Sequence, residues 1–130
     1  MIKRIEFRTK YRDDRGIMQR VTTCKYYDEN DMRFLFIEHV ENLPQGFKLK
    51  APALEAAEST ITIVEFDKRS GRLSVHSRLL TDELQKVTET ATADIGNLDT
   101  VYMPWAILHT IYLPIMHELE RIYNDVDGSE

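Results

Sequence analysis

The residues of this chain with the most chemistry to offer are four histidines and one cysteine, and their spacing decides how much of it they can do. His39 and His76 fall in segments that alternate like strands. His109 and His117 stand eight residues apart in a helical segment, about 12 Å along its axis at about 1.5 Å per residue, which is too far for both to hold one metal ion. His117 with Glu120 or Arg121 makes an ordinary helical pair, and a tetrahedral site would need further ligands that do not stand nearby. Cys24 has no adjacent His or Asp to activate it and reads as a small buried apolar residue. Asp125, Asp127 and Gly128 look like part of a calcium loop, but aligning Gly128 to the loop glycine puts Tyr123 at the first ligand position. A phosphate-binding glycine loop, a Gly-x-Ser-x-Gly elbow and zinc-type spacing are all missing from the sequence. No catalytic residue, metal or cofactor is therefore expected, and the balance leans against an enzyme.

Two-histidine phosphoesterases carry a Thr or Ser two residues after each histidine. Here Glu41 and Arg78 occupy those positions, so the hydroxyls that would help bind phosphate are absent and the family is not assigned. A small hydrolase or phosphodiesterase using the strand histidines is the third reading of the chain.

Charge gives a second candidate. The net charge is −5 and the isoelectric point about 5.4, yet residues 1–27 carry eight basic groups against three acids while the remainder carries nine against nineteen. Arg8, Lys10 and Arg12 share one face of a strand, Arg20 is expected across from them, and Tyr26 and Tyr27 are near enough to stack on bases. A basic sheet face with aromatics is how many single-strand binders hold nucleic acid, although an acidic domain is a poor electrostatic host for it.

The elements that must position these groups follow from periodicity. Ile5, Phe7, Thr9 and Tyr11 alternate with Glu6, Arg8, Lys10 and Arg12, which predicts a strand with one buried face. A turn at Asp13–Gly16 leads into a second strand over Ile17–Tyr27, paired antiparallel to the first. After a polar turn, Met32–Val40 is apolar on both parities and is expected to lie centrally in the sheet. Residues 41–58, broken by Pro44 and Pro52, are expected as an irregular loop, with a helical turn or two from Ala53 to Glu58. Thr60–Phe66 and Arg72–Leu80 predict a hairpin with His76 on its less apolar face. Thr81 is an N-cap candidate for a modest helix carrying Leu84, Val87, Ala91 and Ile95.

The last helix, 101–126, has a seam of Val101, Trp105, Leu108, Tyr112, Ile115, Leu119, Ile122 and Val126 at helical spacing. Pro114 is expected to kink it, and residues 127–130 to fray. Its first half is apolar on nearly every side, which predicts surface left over for a second subunit through Tyr102, Trp105, His109, Tyr112 and Met116.

Together these predict one α+β domain over 1–130: an antiparallel sheet of about five strands in the order β-β-β-loop-β-β-α-α, with the C-terminal helices on one face. A single cysteine and the lack of an apolar leader point to the cytoplasm. The uncharged run Thr100–Met116 stands at the lower edge of a membrane span and contains Pro104, His109 and Pro114, so no membrane is expected. The leading expectation is a non-catalytic protein-binding module, homodimeric through its last helix and joined to a further protein. Nucleic-acid binding through Arg8, Lys10, Arg12 and Arg20 is the alternative.

Overall fold

A computed structural model describes residues 2–67, 69, 72–82, 84–86, 88–89 and 103–124. Its centre is a five-stranded antiparallel sheet in the order β3-β2-β1-β4-β5. The strands are β1 (Ile2–Asp14), β2 (Ile17–Asp28), β3 (Arg33–Asn42), β4 (Thr62–Phe66) and β5 (Leu73–His76).

The β1–β2 hairpin sets the frame. Asp14 pairs with Ile17, so the loop is the two residues Arg15 and Gly16, with φ of 55° and 87°. Both central residues at positive φ is the arrangement whose twist suits a two-residue hairpin. The Asp13 carboxylate accepts a 2.8 Å hydrogen bond from the Gly16 amide and ties the turn down. A Cβ at Gly16 would meet nothing within 4 Å, so Gly16→Ala acts through the backbone alone. It is expected to cost about 1–2 kcal/mol, the penalty of a left-handed non-glycine residue, checked by denaturant unfolding.

Pairing from this turn puts Ile5, Phe7, Thr9 and Tyr11 beside Tyr26, Cys24, Thr22 and Arg20 on one face of the sheet, and all eight are buried. The helices cover that face. α1 (Ala51–Ser59) starts with Pro52 in its first turn, where a missing N–H costs nothing, and buries Ala53 and Ala57. It extends the helical turn or two expected from Ala53 to Glu58 within the irregular segment 41–58; a run of alanines with two buried positions on one side is enough to dock a helix once β1 offers a surface. Thr81 Oγ1 accepts from the Leu84 amide at 3.4 Å, as the capping signal predicts, and Leu84 is fully buried. Val87, Ala91, Ile95 and residues 127–130 lie outside the described side chains.

The last helix runs as α2 (Met103–Ile107), a π-helical segment (Leu108–Tyr112) and α3 (Leu113–Tyr123). Just before Pro114 the turn widens, and the Leu113 N–H reaches back five residues to the Leu108 carbonyl. A proline inside a helix lacks an N–H and crowds the preceding turn, and one wide turn absorbs both defects. The extra residue rotates everything upstream. Ile107 and Tyr112, five apart, are both buried, whereas Trp105, in line with Tyr112 on a uniform α-helix, is 65% exposed. Downstream, Ile115, Met116, Leu119 and Glu120 face the sheet. Tyr112 stacks on Phe7 with ring centroids 4.6 Å apart and shares a 2.6 Å hydrogen bond with Thr9.

β3 occupies the edge of the sheet, not its centre. Apolar residues on both parities are what two covered faces would require, but local composition carries no information on how many neighbours a strand has. At the edge, Leu35, Phe36, Ile37 and Val40 are all exposed. Among the described residues no helix is long and apolar enough to cross a membrane.

Candidate functional site

The helix-covered face of β2 and β3 carries a chain of charged and aromatic groups that runs from the core to the surface. It begins at Arg20, which the hairpin register places opposite Tyr11 and which is only 2% exposed. Arg20 therefore leaves the basic face expected for it: the two-residue loop aligns it with the buried parity of β1. Its Nε and Nη2 donate to the two carboxylate oxygens of Glu120 at 2.5 and 2.6 Å, and its Nη1 donates to Glu41 on β3. Tyr11 adds a longer hydrogen bond to Glu120, 3.4 Å. Burial works against the Arg20 charge, but Glu120 and Glu41 outweigh it and hold the guanidinium protonated. Burial also pushes the Glu120 carboxyl up, against the pull of Arg20.

Glu41 links this buried pair to the surface. Partial burial would raise its pKa, yet the hydrogen bond from His39 and the charge of Arg20 leave it below the usual carboxylate range. An ionised Glu41 accepts from His39 Nε2 at 2.9 Å, and His117 Nε2 lies 3.7 Å from its other oxygen. The His39 ring stands edge-on to His109, centroids 5.3 Å apart, and His109 in turn lies against Trp105 at 4.3 Å. Burial, with the nearby His39, holds the His109 imidazole below its ordinary range and so favours its neutral form. Three of the four histidines are thus gathered around one carboxylate. Among the described residues no three His, Cys, Asp or Glu side chains are set to hold a metal ion together.

The remaining expected site residues separate. His76 is on β5 opposite Ile63, at the far edge of the sheet from His39 and on the other face. Four strand spacings of about 4.8 Å put them about 19 Å apart, so this pair does not share a site. Arg8, Lys10 and Arg12 do lie exposed on the uncovered face, with Arg12 Nε donating to Gln19 at 2.8 Å. Of the two tyrosines expected beside them, Tyr26 is buried on the helix side and Tyr27 lies under the Arg4 guanidinium, 4.0 Å from its ring centre. Phe36, 50% exposed, is instead the aromatic available there, beside a cleft of about 300 Å³ that it lines with Glu6, Arg8 and Lys25.

Of the residues expected at a subunit interface, Trp105 is exposed and His109 partly buried, while Tyr112 and Met116 are wholly buried in the chain's own core. The uncharged half of the helix is apolar on most sides, but the sheet covers more of it than the sequence implies, with Tyr112 against Phe7 and Thr9. Tyr102 lies outside the described residues. In their place the apolar surface is supplied by β3. Leu35 and Ile37 lie on the same strand face as His39, and so continue toward Trp105. Compared with protein-family models, curated proteins and solved structures, the chain gives no match.

Proposed function

We propose that the protein is a non-catalytic binding module that forms a homodimer through the outer edge of β3, which no strand among the described residues pairs with, with Trp105 of the last helix at the rim. The observation that carries this is β3 itself: a ten-residue strand, apolar on both faces, standing at the edge of the sheet with Leu35, Phe36, Ile37 and Val40 exposed. Edge strands of monomeric proteins are usually short, charged or covered, because an open row of backbone N–H and C=O groups recruits another strand. A second copy is the occupant that fits this edge. An antiparallel pairing with a two-fold axis at Ile37 sets Ile37 against its own copy and Leu35 against His39, so apolar groups meet in the middle of the strand. The result is a continuous sheet of ten strands whose helices share one side. Phe36 and Trp105, with 150–250 Å² of surface per aromatic, expose on the order of 200 Å² between them that the second copy would shield.

Sedimentation velocity tests this. The wild-type chain is expected to sediment as a dimer at micromolar concentration and Ile37→Lys as a folded monomer, because a lysine on the edge opposes strand addition. A wild-type monomer at high micromolar concentration overturns the proposal.

A further inference from the structure

We infer that His39 and His109 form a two-imidazole site for a divalent transition-metal ion of the copper, nickel or zinc class, with Glu41 orienting His39. The inference starts from ring geometry. With metal–nitrogen bonds of about 2.0–2.1 Å and a ring centre about 1.1 Å beyond each nitrogen, two imidazoles on one ion have centroids about 4.5 Å apart at a square-planar angle and about 5 Å apart at a tetrahedral one. The His39 and His109 centroids are 5.3 Å apart with the rings edge to face, close to the separation that two imidazoles on one ion require.

The surroundings of His39 are those of a ligand. Its Nε2 is committed to the Glu41 carboxylate, which fixes the ring and leaves Nδ1 as the nitrogen with a lone pair. Metal-binding histidines characteristically give their other N–H to a carboxylate in this way, and the carboxylate makes the ring more basic. Glu41 is itself anchored by the buried Arg20, which Glu120 holds at two points. The His39 ring is thereby tied to the core through two ion pairs. His109 comes from the π-helical segment, and wide turns of this kind recur where a helix presents a functional side chain. Cysteine is absent from the site, Cys24 being buried with its thiol pushed up to about 12 by that burial. Imidazole donors without thiolate suit copper(II), nickel(II) and zinc(II), with copper(II) bound most strongly. Because the chain supplies two ligands here, the other coordination positions are open to water or to a donor from outside.

Trp105, the only tryptophan, lies 4.3 Å from His109 and makes the site directly observable, since bound copper(II) quenches indole fluorescence. Titration of the intact chain with copper(II) chloride is expected to quench Trp105 at micromolar metal. Zinc(II), which does not quench, is expected to restore the signal by competition. His39→Ala and His109→Ala are each expected to weaken binding at least about tenfold, and Glu41→Gln about 10–100-fold, the usual effect of removing a residue that orients a ligand. His76→Ala is expected to leave binding unchanged, with far-UV circular dichroism confirming that every variant is folded. The site does not require the paired edge strands, so the Ile37→Lys monomer is expected to bind copper equally, which separates this test from that of dimerisation. Quenching that survives His39→Ala or His109→Ala, that falls equally in His76→Ala, or that is absent at micromolar copper overturns the inference.

Discussion

Replacing Arg20 with Met is expected to destabilise the protein by about 3–5 kcal/mol, the cost of leaving a buried partner charge unpaired. Arg20 is buried between Glu120 and Glu41, and Glu120 is itself only 6% exposed. Removing the guanidinium leaves Glu120 with the long Tyr11 hydrogen bond as its remaining named partner. The carboxyl must then take up a proton or draw water into the core. The double variant Arg20→Met with Glu120→Leu is expected to recover most of the loss, because a buried ion pair and an apolar pair of similar volume often differ little in stability. Urea unfolding of the four proteins in this cycle checks both statements. A double variant as unstable as the single one would mean that Arg20 acts through Glu41 and not through Glu120.

The second large effect is expected at Tyr112. Truncating a buried aromatic to alanine costs about 3–5 kcal/mol through lost burial and the cavity left behind, and Tyr112 is fully buried against Phe7. Tyr112→Phe keeps the stack but deprives Thr9 of its partner, for an expected cost of about 1–3 kcal/mol. Trp105→Ala, the larger truncation, is expected to change the stability of the isolated chain by no more than about 0.5 kcal/mol, as is usual at exposed positions. Denaturation midpoints of Tyr112→Ala, Tyr112→Phe and Trp105→Ala, each measured in the Ile37→Lys background, rank the three. A Trp105→Ala loss comparable to that of Tyr112→Ala would contradict the placement of these residues.

That contrast shows what periodicity could and could not reveal. Trp105 and Tyr112 belong to one seam only if every turn is an α-turn. The wide turn ahead of Pro114 breaks the phase, and the proline was the signal that some adjustment must occur there, though not which. Strand alternation, by contrast, was fully legible in β1, where Ile5, Phe7, Thr9 and Tyr11 are buried and Arg8, Lys10 and Arg12 exposed. The antiparallel sheet and C-terminal helices followed from the same patterns. The fate of Arg20 was legible too, once Arg15-Gly16 is taken as a two-residue loop. Positions summing to 31 then oppose one another, which pairs Arg20 with Tyr11 on the buried face. Strand order was not legible, since β3 reads identically whether one neighbour or two flank it. Nor was the meeting of His39 with His109, which depends on how the helix docks across the sheet rather than on any local spacing.

β1 has one further consequence, concerning how the sheet is joined. On one side it pairs with β2 along nearly its whole length, from Ile2 to Asp14. On the other it meets β4 only from Arg4 to Phe7. The first pairing closes a loop of two residues and the second a loop of about 50, which costs roughly 3 kcal/mol more in chain entropy at about 0.6 kcal/mol per doubling of length. The sheet is therefore two pieces, a meander of three strands and a hairpin of two, meeting along a short and entropically expensive seam. α1, which connects the two pieces in sequence and buries Ala53 and Ala57, packs against β1 and adds to the contact at that joint.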